Sequence, residues 1–351
     1  MAKVGVGVIG LGRIFQDNHL PQISACRDME LVAVADVTAS RRDRWAGELD
    51  VPIHDDMQAI LDDDEVDLAV ILTPSRFHHA HVMGALRAGK HVRVEQPMAM
   101  NRTEAADMVK EARSHGLVLT VHHNRGYDAD FTVLQRLLKS DLIGKIVSIE
   151  RRVLFDYTEW LANYPAADYR PGWRMEREFG GGQLYDWGPH FFDQILRLAG
   201  SNPDRIFCAL RSLKWSDEVD DYVKVIAEWD NGLLAELEVT SFTDQVVPSL
   251  YILGTEGAIT QNKFWDSFKI TRSNGDSEET KIVGEHQWQR IHDSTAARIL
   301  GRDEELAVTP EHALNIVESM DLAFEAAADH RAVPVRSVIV AEKPRHILKA
   351  D

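Results

Sequence analysis

The stretch VGVGVIGLGRIF, residues 4–15 of this 351-residue chain, decides the fold of its first part. The unbroken apolar run Val4–Ile9 is typical of a strand buried on both faces, as in a parallel sheet. Gly10 permits a tight turn after this strand, and Gly12 lets backbone N–H groups approach a pyrophosphate at the start of a helix. Phe15 occupies the third position of the pattern, which is usually Gly or Ala. The stretch therefore predicts a dinucleotide-binding strand–turn–helix.

An acidic residue ends the next predicted strand, Leu31–Ala35. Asp36 lies 24 residues after Gly12, where a carboxylate meets the ribose hydroxyls of an adenosine. Its charge repels a 2′-phosphate, so the sequence favours NAD over NADP as the cofactor. Arg41 and Arg42 follow closely and work against this preference, because either guanidinium could reach a 2′-phosphate.

The remainder of the first 120 residues alternates short apolar runs with helical patterns. Strands are predicted at Leu68–Leu72, His91–Val94 and Leu117–Val121, and helices at 40–49, 57–61, 79–88 and 103–114. Asn101 and Thr103 are candidate N-caps of the last helix, and Gly116 is a candidate C-terminal cap. Repeated β-α-β units of this kind predict a Rossmann-type doubly wound parallel sheet, an α/β domain over residues 1–122.

Beyond residue 122 the hydrophobic pattern changes to alternation. Residues 145–155 alternate, and the runs Tyr222–Trp229 and Leu233–Phe242 flank Asn231-Gly232, a strong hairpin signal. Further strands are predicted at 249–253, 258–260 and 267–271. An apolar stripe from Ala313 to Ala327 predicts one long helix. Residues 123–351 are therefore predicted to form an α+β domain with a mostly antiparallel sheet.

Charge and composition exclude several classes of function. The chain has 39 Lys and Arg against 56 Asp and Glu, a net charge of −17, which repels phosphate backbones and anionic lipid. Neither nucleic acid nor a membrane is therefore expected as a partner. The longest apolar run, residues 68–72, is far shorter than the ~20 residues of a membrane span. Two cysteines and the absence of a signal-peptide pattern predict a cytoplasmic protein.

Polar side chains follow two predicted strands at the sheet edge where ligands bind. Thr73, Pro74 and His78 follow one strand, and Glu95 and Gln96 follow the next. The histidines at 78, 79 and 81 have no acidic or cysteine partner at ligand spacing, so no metal site is predicted.

The segment GGGQLYDWGPHFFD, residues 180–193, places two ionisable side chains four residues apart. On one helix Asp186 and His190 share a face, which suits a general base and the group that orients it. The glycines ahead of them permit close approach of the backbone to a ligand. The alternative for His190 is a hydrogen-bonded structural histidine, and Asp193 is interpreted as a structural partner.

Together these segments resemble the Gfo/Idh/MocA family, the relatives of glucose–fructose oxidoreductase and inositol dehydrogenase, over essentially the whole chain. The resemblance implies an N-terminal Rossmann domain with bound NAD or NADP and a C-terminal domain with a large open sheet. It also implies redox chemistry on sugars or polyols, and a homodimer or homotetramer assembled through that sheet.

The resemblance assigns roles to individual residues. The dinucleotide loop is matched by Gly10, Gly12, Arg13 and Ile14, and the ribose acid by Asp36. The segment beside the nicotinamide is matched by Thr73, Pro74 and His78. Two members of a Glu-Lys-Pro signature are matched by Glu95 and Pro97, and the catalytic pair by Asp186 and His190. A domain-junction segment that reaches the substrate is matched by Asn124, Arg125 and Tyr127.

Gln96 stands where the family signature has Lys. A Lys beside the reacting hydroxyl stabilises a developing alkoxide and joins proton transfer, whereas Gln only donates and accepts hydrogen bonds. Three explanations stay open. His190 is the sole base and Gln96 holds the hydroxyl; or another cation, Arg125, Arg152 or Arg174, replaces the Lys; or the reaction differs from simple dehydrogenation.

A Pro-containing segment ahead of the glycines carries aromatic and basic side chains, namely Tyr164, Tyr169, Arg170, Trp173 and Arg174. These residues either bind a sugar face and an anionic group or pack a loop over the domain junction.

The sequence thus predicts an NAD-dependent oxidoreductase that transfers a hydride between the nicotinamide and a carbinol carbon of a sugar or polyol. His190 is the acid/base, Asp186 orients it, and Gln96 binds the reacting oxygen. One alternative is an NAD-dependent glycosidase that works by transient oxidation and elimination with no net redox change, which the loss of the signature Lys favours. The other is a non-catalytic sensor of a sugar or nucleotide.

Overall fold

The first of two sheets in the chain is parallel and has six strands. The computed structural model describes residues 3–156, 171–243, 247–329 and 333–334. The strands of this sheet are β1 (Val4–Ile9), β2 (Met29–Ala35), β3 (Ile53–His54), β4 (Leu68–Ile71), β5 (His91–Val94) and β6 (Leu119–Val121). Their order is β3-β2-β1-β4-β5-β6, so the order reverses between β1 and β4 and leaves a crevice at their carboxyl ends. The predicted Rossmann-type sheet is confirmed, with the short β3 as an addition.

Helices cover both faces of this sheet. They are α1 (Leu20–Ala25), α2 (Ala39–Trp45), α3 (Gln58–Leu61), α4 (His78–Arg87) and α5 (Arg102–His115). Alternate residues of β4 enter two separate hydrophobic clusters, Leu68 and Val70 on one side and Ala69 and Ile71 on the other. Of the predicted caps of α5, Asn101 and Gly116 are confirmed, since Asn101 accepts a hydrogen bond from the Glu104 N–H, whereas Thr103 lies within the helix.

The second sheet has nine strands within the described parts of the chain. They are β7 (Ile146–Leu154), β8 (Arg205–Arg211), β9 (Tyr222–Glu228), β10 (Leu234–Thr240), β11 (Leu250–Gly254), β12 (Gly257–Gln261), β13 (Phe268–Arg272), β14 (Ser277–Thr280) and β15 (Val333–Pro334). Their order is β14-β13-β12-β11-β7-β10-β9-β8-β15. Neighbours are antiparallel apart from β7 and β10, which are parallel. The prediction of a large, mostly antiparallel open sheet is confirmed.

The helices that follow the first sheet in the described residues are α6 (Ala129–Lys139), α7 (Gln183–Asp186), α8 (Gly188–Ala199), α9 (Gln289–Ile299) and α10 (Pro310–Asp329). Phe191 and Ile195 of α8 pack into the core that the sheet forms with Ile149 and Leu237. The helix predicted from the stripe that begins at Ala313 is α10.

The last two helices bring the chain back to the first domain. Ile291 of α9 and Leu314 of α10 lie in a core cluster of the first sheet, whereas Met320 of α10 lies in the core of the second. The sequence did not predict this return, and the boundary at residue 122 stays a prediction. No helix in the described part of the chain combines the length and apolar character needed to cross a membrane.

Candidate active site and cofactor cleft

Gly10 and Gly12 form the turn that follows β1. Gly10 has a φ of +106°, and a Cβ there would lie 2.9 Å from the carbonyl oxygen of Leu72, so only glycine fits. A Cβ on Gly12 would meet no described protein atom within 4 Å. The backbone is therefore open on the side from which a pyrophosphate would approach the start of the helix, and the turn fits a dinucleotide.

The helix after this turn departs from a regular α-helix. Arg13 in its first turn pairs with Asp17, with Nε and Oδ2 2.7 Å apart, and Ile14 packs at the edge of a core cluster. Phe15 is fully buried against Trp45, with ring centroids 5.1 Å apart. Residues Phe15–His19 form a π-helical turn, a distortion that is frequent at functional sites.

Asp36 closes the ribose end of the cleft. Its carboxylate is buried and accepts hydrogen bonds from the N–H groups of Leu11 and Thr38, each at 2.8 Å. Arg41 Nη1 lies 3.3 Å from the same carboxylate, and Arg42 donates to the Asp36 carbonyl at 2.7 Å. The acid and both arginines predicted from the sequence are therefore neighbours at this end of the cleft.

His78 links the ends of two strands. Its Nδ1 lies 2.8 Å from the Pro97 carbonyl oxygen and its Nε2 2.7 Å from the Thr73 carbonyl oxygen. Both ring nitrogens thus face main-chain carbonyl oxygens, one at the end of β4 and one after β5, and the contact of His78 with a cofactor stays a prediction. Thr73 Oγ1 bonds His81 Nδ1 at 3.1 Å, and Pro74 starts the next 3₁₀ turn.

Gln96 and His190 meet where the two domains join. Gln96 Nε2 lies 3.4 Å from His190 Nε2 and 3.4 Å from the carbonyl oxygen of Asp186. An amide N–H donates only to a ring nitrogen that carries no proton, so this contact suits the tautomer of His190 in which Nε2 is the acceptor. Burial, and then the positive charge of Arg125, hold the pKa of His190 well below its usual value. The imidazole is therefore neutral and able to act as a base.

The predicted pairing of Asp186 with His190 is not observed. α7 ends at Asp186 and α8 begins at Gly188, because Pro189 has no N–H with which to continue the hydrogen bonds of α7. The two side chains therefore do not share one continuous helix face. The Asp186 carboxylate accepts a hydrogen bond from Arg174 Nε at 3.1 Å instead.

The glycines ahead of α7 approach a carboxylate that the sequence analysis missed. A Cβ on Gly182 would lie 2.4 Å from Asp220 Oδ1, and Asp220 Oδ2 accepts a hydrogen bond from the Leu184 N–H at 2.8 Å. Burial raises the pKa of Asp220 to about 6. At least Gly182 is thus explained by close packing against the group that caps α7. Asp220 lies in an irregular segment of sequence that carries no local motif.

Of the three candidate replacement cations, Arg125 is the one whose positive charge acts on His190. Its guanidinium is 4.7 Å from the centre of the Trp187 ring and pairs with Asp128 at 3.3 Å. The ring centroids of Trp187 and His190 are 5.9 Å apart. Arg174 pairs with Asp186, whose carbonyl oxygen contacts Gln96, and lies over the ring of Trp173 at 4.4 Å.

The structure does not bring Arg152, a predicted substrate residue, to His190. It pairs with Glu150, Glu236 and Glu238 on the face of the second sheet opposite α8. Its neighbour Arg151 points the other way and is buried, with its guanidinium 5.3 Å from the centre of the Phe191 ring. The alternation of β7 therefore directs Arg151, and not Arg152, towards the helix that carries His190.

The predicted domain-junction segment contains a residue with a structural role, Tyr127, and a half-buried residue, Asn124. Tyr127 is buried and donates its hydroxyl hydrogen to the Ala307 carbonyl, so it braces the domains. Asn124 opens the same 3₁₀ turn and is half-buried.

Asp193 has the structural contacts that its interpretation predicts, since it pairs with Arg197 at 2.8 Å and with His312 at 2.7 Å. Tyr164, Tyr169 and Arg170 lie outside the described residues.

A buried polar cluster next to Glu95 was not predicted. His19 Nε2 lies 2.6 Å from Glu95 Oε1, and the ring centroids of His19 and His122 are 4.4 Å apart. His19, Glu95 and His122 offer ligand atoms within 4.8 Å of one another, a set of types that binds divalent metals. Burial, and then the buried guanidinium of Arg93, lower the pKa of His19. Arg93 also interacts with Glu95, and so competes with any cation for that carboxylate. These residues come from separate segments, and no local motif reveals them.

Comparison with known families matches both domains. The model of an oxidoreductase family with an NAD-binding Rossmann fold matches residues 4–123. The model of the GFO/IDH/MocA C-terminal domain matches residues 131–260. The chain therefore belongs to the Gfo/Idh/MocA family of oxidoreductases, as its motifs predicted.

Individual relatives include sugar and polyol dehydrogenases. The scyllo-inositol 2-dehydrogenase (NADP(+)) IolW of Bacillus subtilis is 23% identical over 94% of this chain and 95% of its own length. D-glucoside 3-dehydrogenase of Escherichia coli is 31% identical over 56% of this chain and 54% of its own. The chain spans 62% of the length of another E. coli relative, the oxidoreductase YdgJ. An NAD-binding protein from Listeria innocua has a solved structure with a TM-score of 0.82 and 27% identity, covering 95% of this chain and 97% of that one.

Proposed function

We propose that this chain is an NAD-dependent dehydrogenase of a sugar or polyol, with His190 as its acid/base. The observation that carries the proposal is the 3.4 Å contact between the Gln96 amide and His190 Nε2. This contact joins the edge of the dinucleotide domain to the first turn of α8, and it puts a neutral imidazole at the carboxyl end of β5.

His190, Gln96 and Arg125 each have a different role toward the reacting hydroxyl of the sugar. His190 Nε2 accepts the hydroxyl proton, a role for which the ring must be neutral, and burial and then Arg125 favour the neutral form by lowering its pKa. The Gln96 amide holds the oxygen by a hydrogen bond, and the Arg125 guanidinium supplies the positive charge that the family's Lys would provide. A bound nicotinamide supplies the hydride acceptor. Two of the explanations for Gln96 thus combine in one site: His190 is the base while Gln96 holds the hydroxyl, and Arg125 replaces the charge of the Lys.

The test is a panel of sugars and polyols, including scyllo-inositol and simple glucosides, incubated with NAD or NADP. We expect at least one of them to generate reduced cofactor, and the His190→Gln variant to abolish the signal. A chain that binds dinucleotide but turns over no sugar would favour the sensor, and a chain that binds no dinucleotide would overturn the proposal.

A second candidate is a glycosidase that oxidises and then re-reduces its substrate. It is favoured by Gln96, which leaves no lysine at the signature position. The distinguishing experiment offers chromogenic glycosides in deuterated water. Release of the chromophore without net reduced cofactor, with deuterium gained at the carbon next to the oxidised one, would replace the dehydrogenase with this candidate.

Cofactor preference, assembly and location complete the proposal. The carboxylate of Asp36 at the ribose end supports NAD over NADP. A homodimer or homotetramer through the second sheet is supported by apolar side chains on its outer face, with Phe207 41% and Leu234 43% exposed. We expect Phe207→Glu to lower the mass found by light scattering. The two buried free cysteines support a cytoplasmic location.

A further inference from the structure

An open cavity of about 570 Å³ lies outside the residues assigned so far. Its lining includes Ala129, Trp265, Glu285 and His286. Trp265, His286 and Trp288 form an aromatic cluster at this cavity. The ring of His286 stacks on Trp288, with centroids 4.5 Å apart and planes 14° from parallel, and Trp265 meets His286 nearly edge-on at 5.3 Å.

Trp265 is both strained and exposed. Its φ is +64°, a left-handed conformation that bulky side chains rarely adopt, and 48% of its surface is exposed. The Trp265 N–H donates to Asp130 Oδ2 at 3.1 Å, and its indole N–H donates to Asp128 Oδ2 at 3.3 Å. Two buried carboxylates at the start of α6 thus hold this indole in place. A left-handed backbone conformation is costly for a bulky residue, and residues held in such conformations cluster at ligand sites.

Polar groups lie beside the indole. His286 Nδ1 lies 3.2 Å from the Ala129 backbone nitrogen and 3.4 Å from Asp128 Oδ1. Its Nε2 is a polar atom on a cavity-lining side chain, and the exposed Glu285 adds an acceptor. An apolar ring face with polar groups at its rim suits a sugar, whose C–H face stacks while its hydroxyls form hydrogen bonds.

Arg125 connects this cavity to the candidate active site. Its guanidinium lies 4.7 Å from the ring centre of Trp187 and 5.7 Å from that of Trp265. Trp187 in turn contacts His190, with centroids 5.9 Å apart. One guanidinium therefore separates the aromatic cluster from the ring that neighbours the acid/base.

We infer that the cavity at Trp265 is a second sugar subsite, so that the substrate is a glycoside carrying a second sugar ring. One ring lies against His190 and Gln96, and the next ring stacks on Trp265 beside His286 and Glu285. This inference rests on the proposed function and adds to it the substrate class.

The test compares maltose, cellobiose and trehalose with D-glucose as the single-ring counterpart. We expect the wild-type chain to have a higher kcat/KM for at least one disaccharide than for glucose. In Trp265→Ala that ratio should fall about tenfold, as expected for the loss of one ring stack, and in Trp265→Phe it should fall less. Leu213→Ala, at another exposed apolar side chain, is the control and should leave the ratio unchanged. A ratio within twofold of wild type in Trp265→Ala, or a wild-type preference for glucose over all three disaccharides, would overturn the inference.

Measurements of sugar binding distinguish a failure of this inference from a failure of the proposed function. If the wild-type chain reduces no cofactor, saturation-transfer NMR with the same four sugars still reads out the subsite. Disaccharide binding that Trp265→Ala weakens would support the subsite while the dehydrogenase fails. Equal binding of the disaccharides and glucose, or no binding, would overturn the subsite. Trp265→Phe serves the same comparison if the alanine variant does not fold.

Discussion

The cofactor cleft and the His190 site share one edge of the first sheet but are assembled differently. The cleft is made by a contiguous stretch, in which Gly10, Gly12 and Asp36 follow neighbouring strands. The His190 site joins the end of β5 to the start of α8, a separation of 94 residues between Gln96 and His190, with Arg125 from a third segment. In the cleft the backbone conformation determines which residue fits, as at Gly10. At the junction burial and charge determine the pKa of His190. Substitutions should therefore act on backbone fit in the first region and on proton chemistry in the second.

The largest effect is expected at the junction. Replacement of His190 by Gln removes the proton acceptor, so kcat should fall by about 10²- to 10⁴-fold, while dinucleotide affinity stays within a few-fold. Steady-state kinetics and calorimetric titration measure the two quantities. His115→Gln, at an exposed position of α5, is the matched control. A loss of less than tenfold in kcat would remove His190 from the chemistry.

The two loop glycines should separate stability from binding. Gly10→Ala forces a Cβ against the Leu72 carbonyl at a φ of +106°, so the free energy of unfolding should fall by about 1–3 kcal/mol. Gly12→Ala meets no described protein atom, so it should fold within about 0.5 kcal/mol of wild type and yet bind dinucleotide about tenfold more weakly. Denaturant unfolding and titration of both variants check this. Equal dinucleotide binding by Gly12→Ala and wild type would contradict a pyrophosphate at this turn.

A fall in pH should lower the free energy of unfolding through His123 at the domain junction. Burial lowers the pKa of His123 from 6.5 to about 4. The unfolded chain therefore takes up its proton first as the pH falls below 6.5, and stability is lost in that range. From pH 6.5 to pH 5 this residue alone should cost roughly 1.6 kcal/mol. Urea unfolding at both pH values should show a smaller loss for His123→Gln than for wild type, and an identical pH dependence would show that this histidine has the same pKa in the folded and the unfolded chain.

The smallest effect is expected at the ribose end of the cleft. Asp36→Ser removes the charge that opposes a 2′-phosphate and leaves Arg41 and Arg42 beside it. The ratio of the Kd for NADP to the Kd for NAD should fall about tenfold, or ~1.4 kcal/mol. Arg41→Ala should move the ratio in the opposite direction. A wild-type chain that binds NADP more tightly than NAD would show that the arginines outweigh the carboxylate.

Local patterns explain which parts the sequence could predict. The strands of the first sheet are mostly apolar and end at polar residues, so the predicted bounds of β1, β4 and β5 agree closely with the observed ones. β8 was missed because Phe207 faces outward and obscures the alternation. Within the site, Gln96 and His190 could be named from their motifs. The pairing of Asp186 depended on Pro189, a local helix break that the motif already contains. The side of the sheet that Arg151 faces depended on the register of β7, which is set by pairing with distant strands.

The most direct test of the His190 site is a crystal structure of the chain with NAD. It should place the nicotinamide ring at the end of β5 beside Gln96, with one face turned towards His190 Nε2 and room for a single sugar carbon between them. A nicotinamide outside this junction, or a His190 ring turned away from it, would contradict a dehydrogenase that uses His190 as its base.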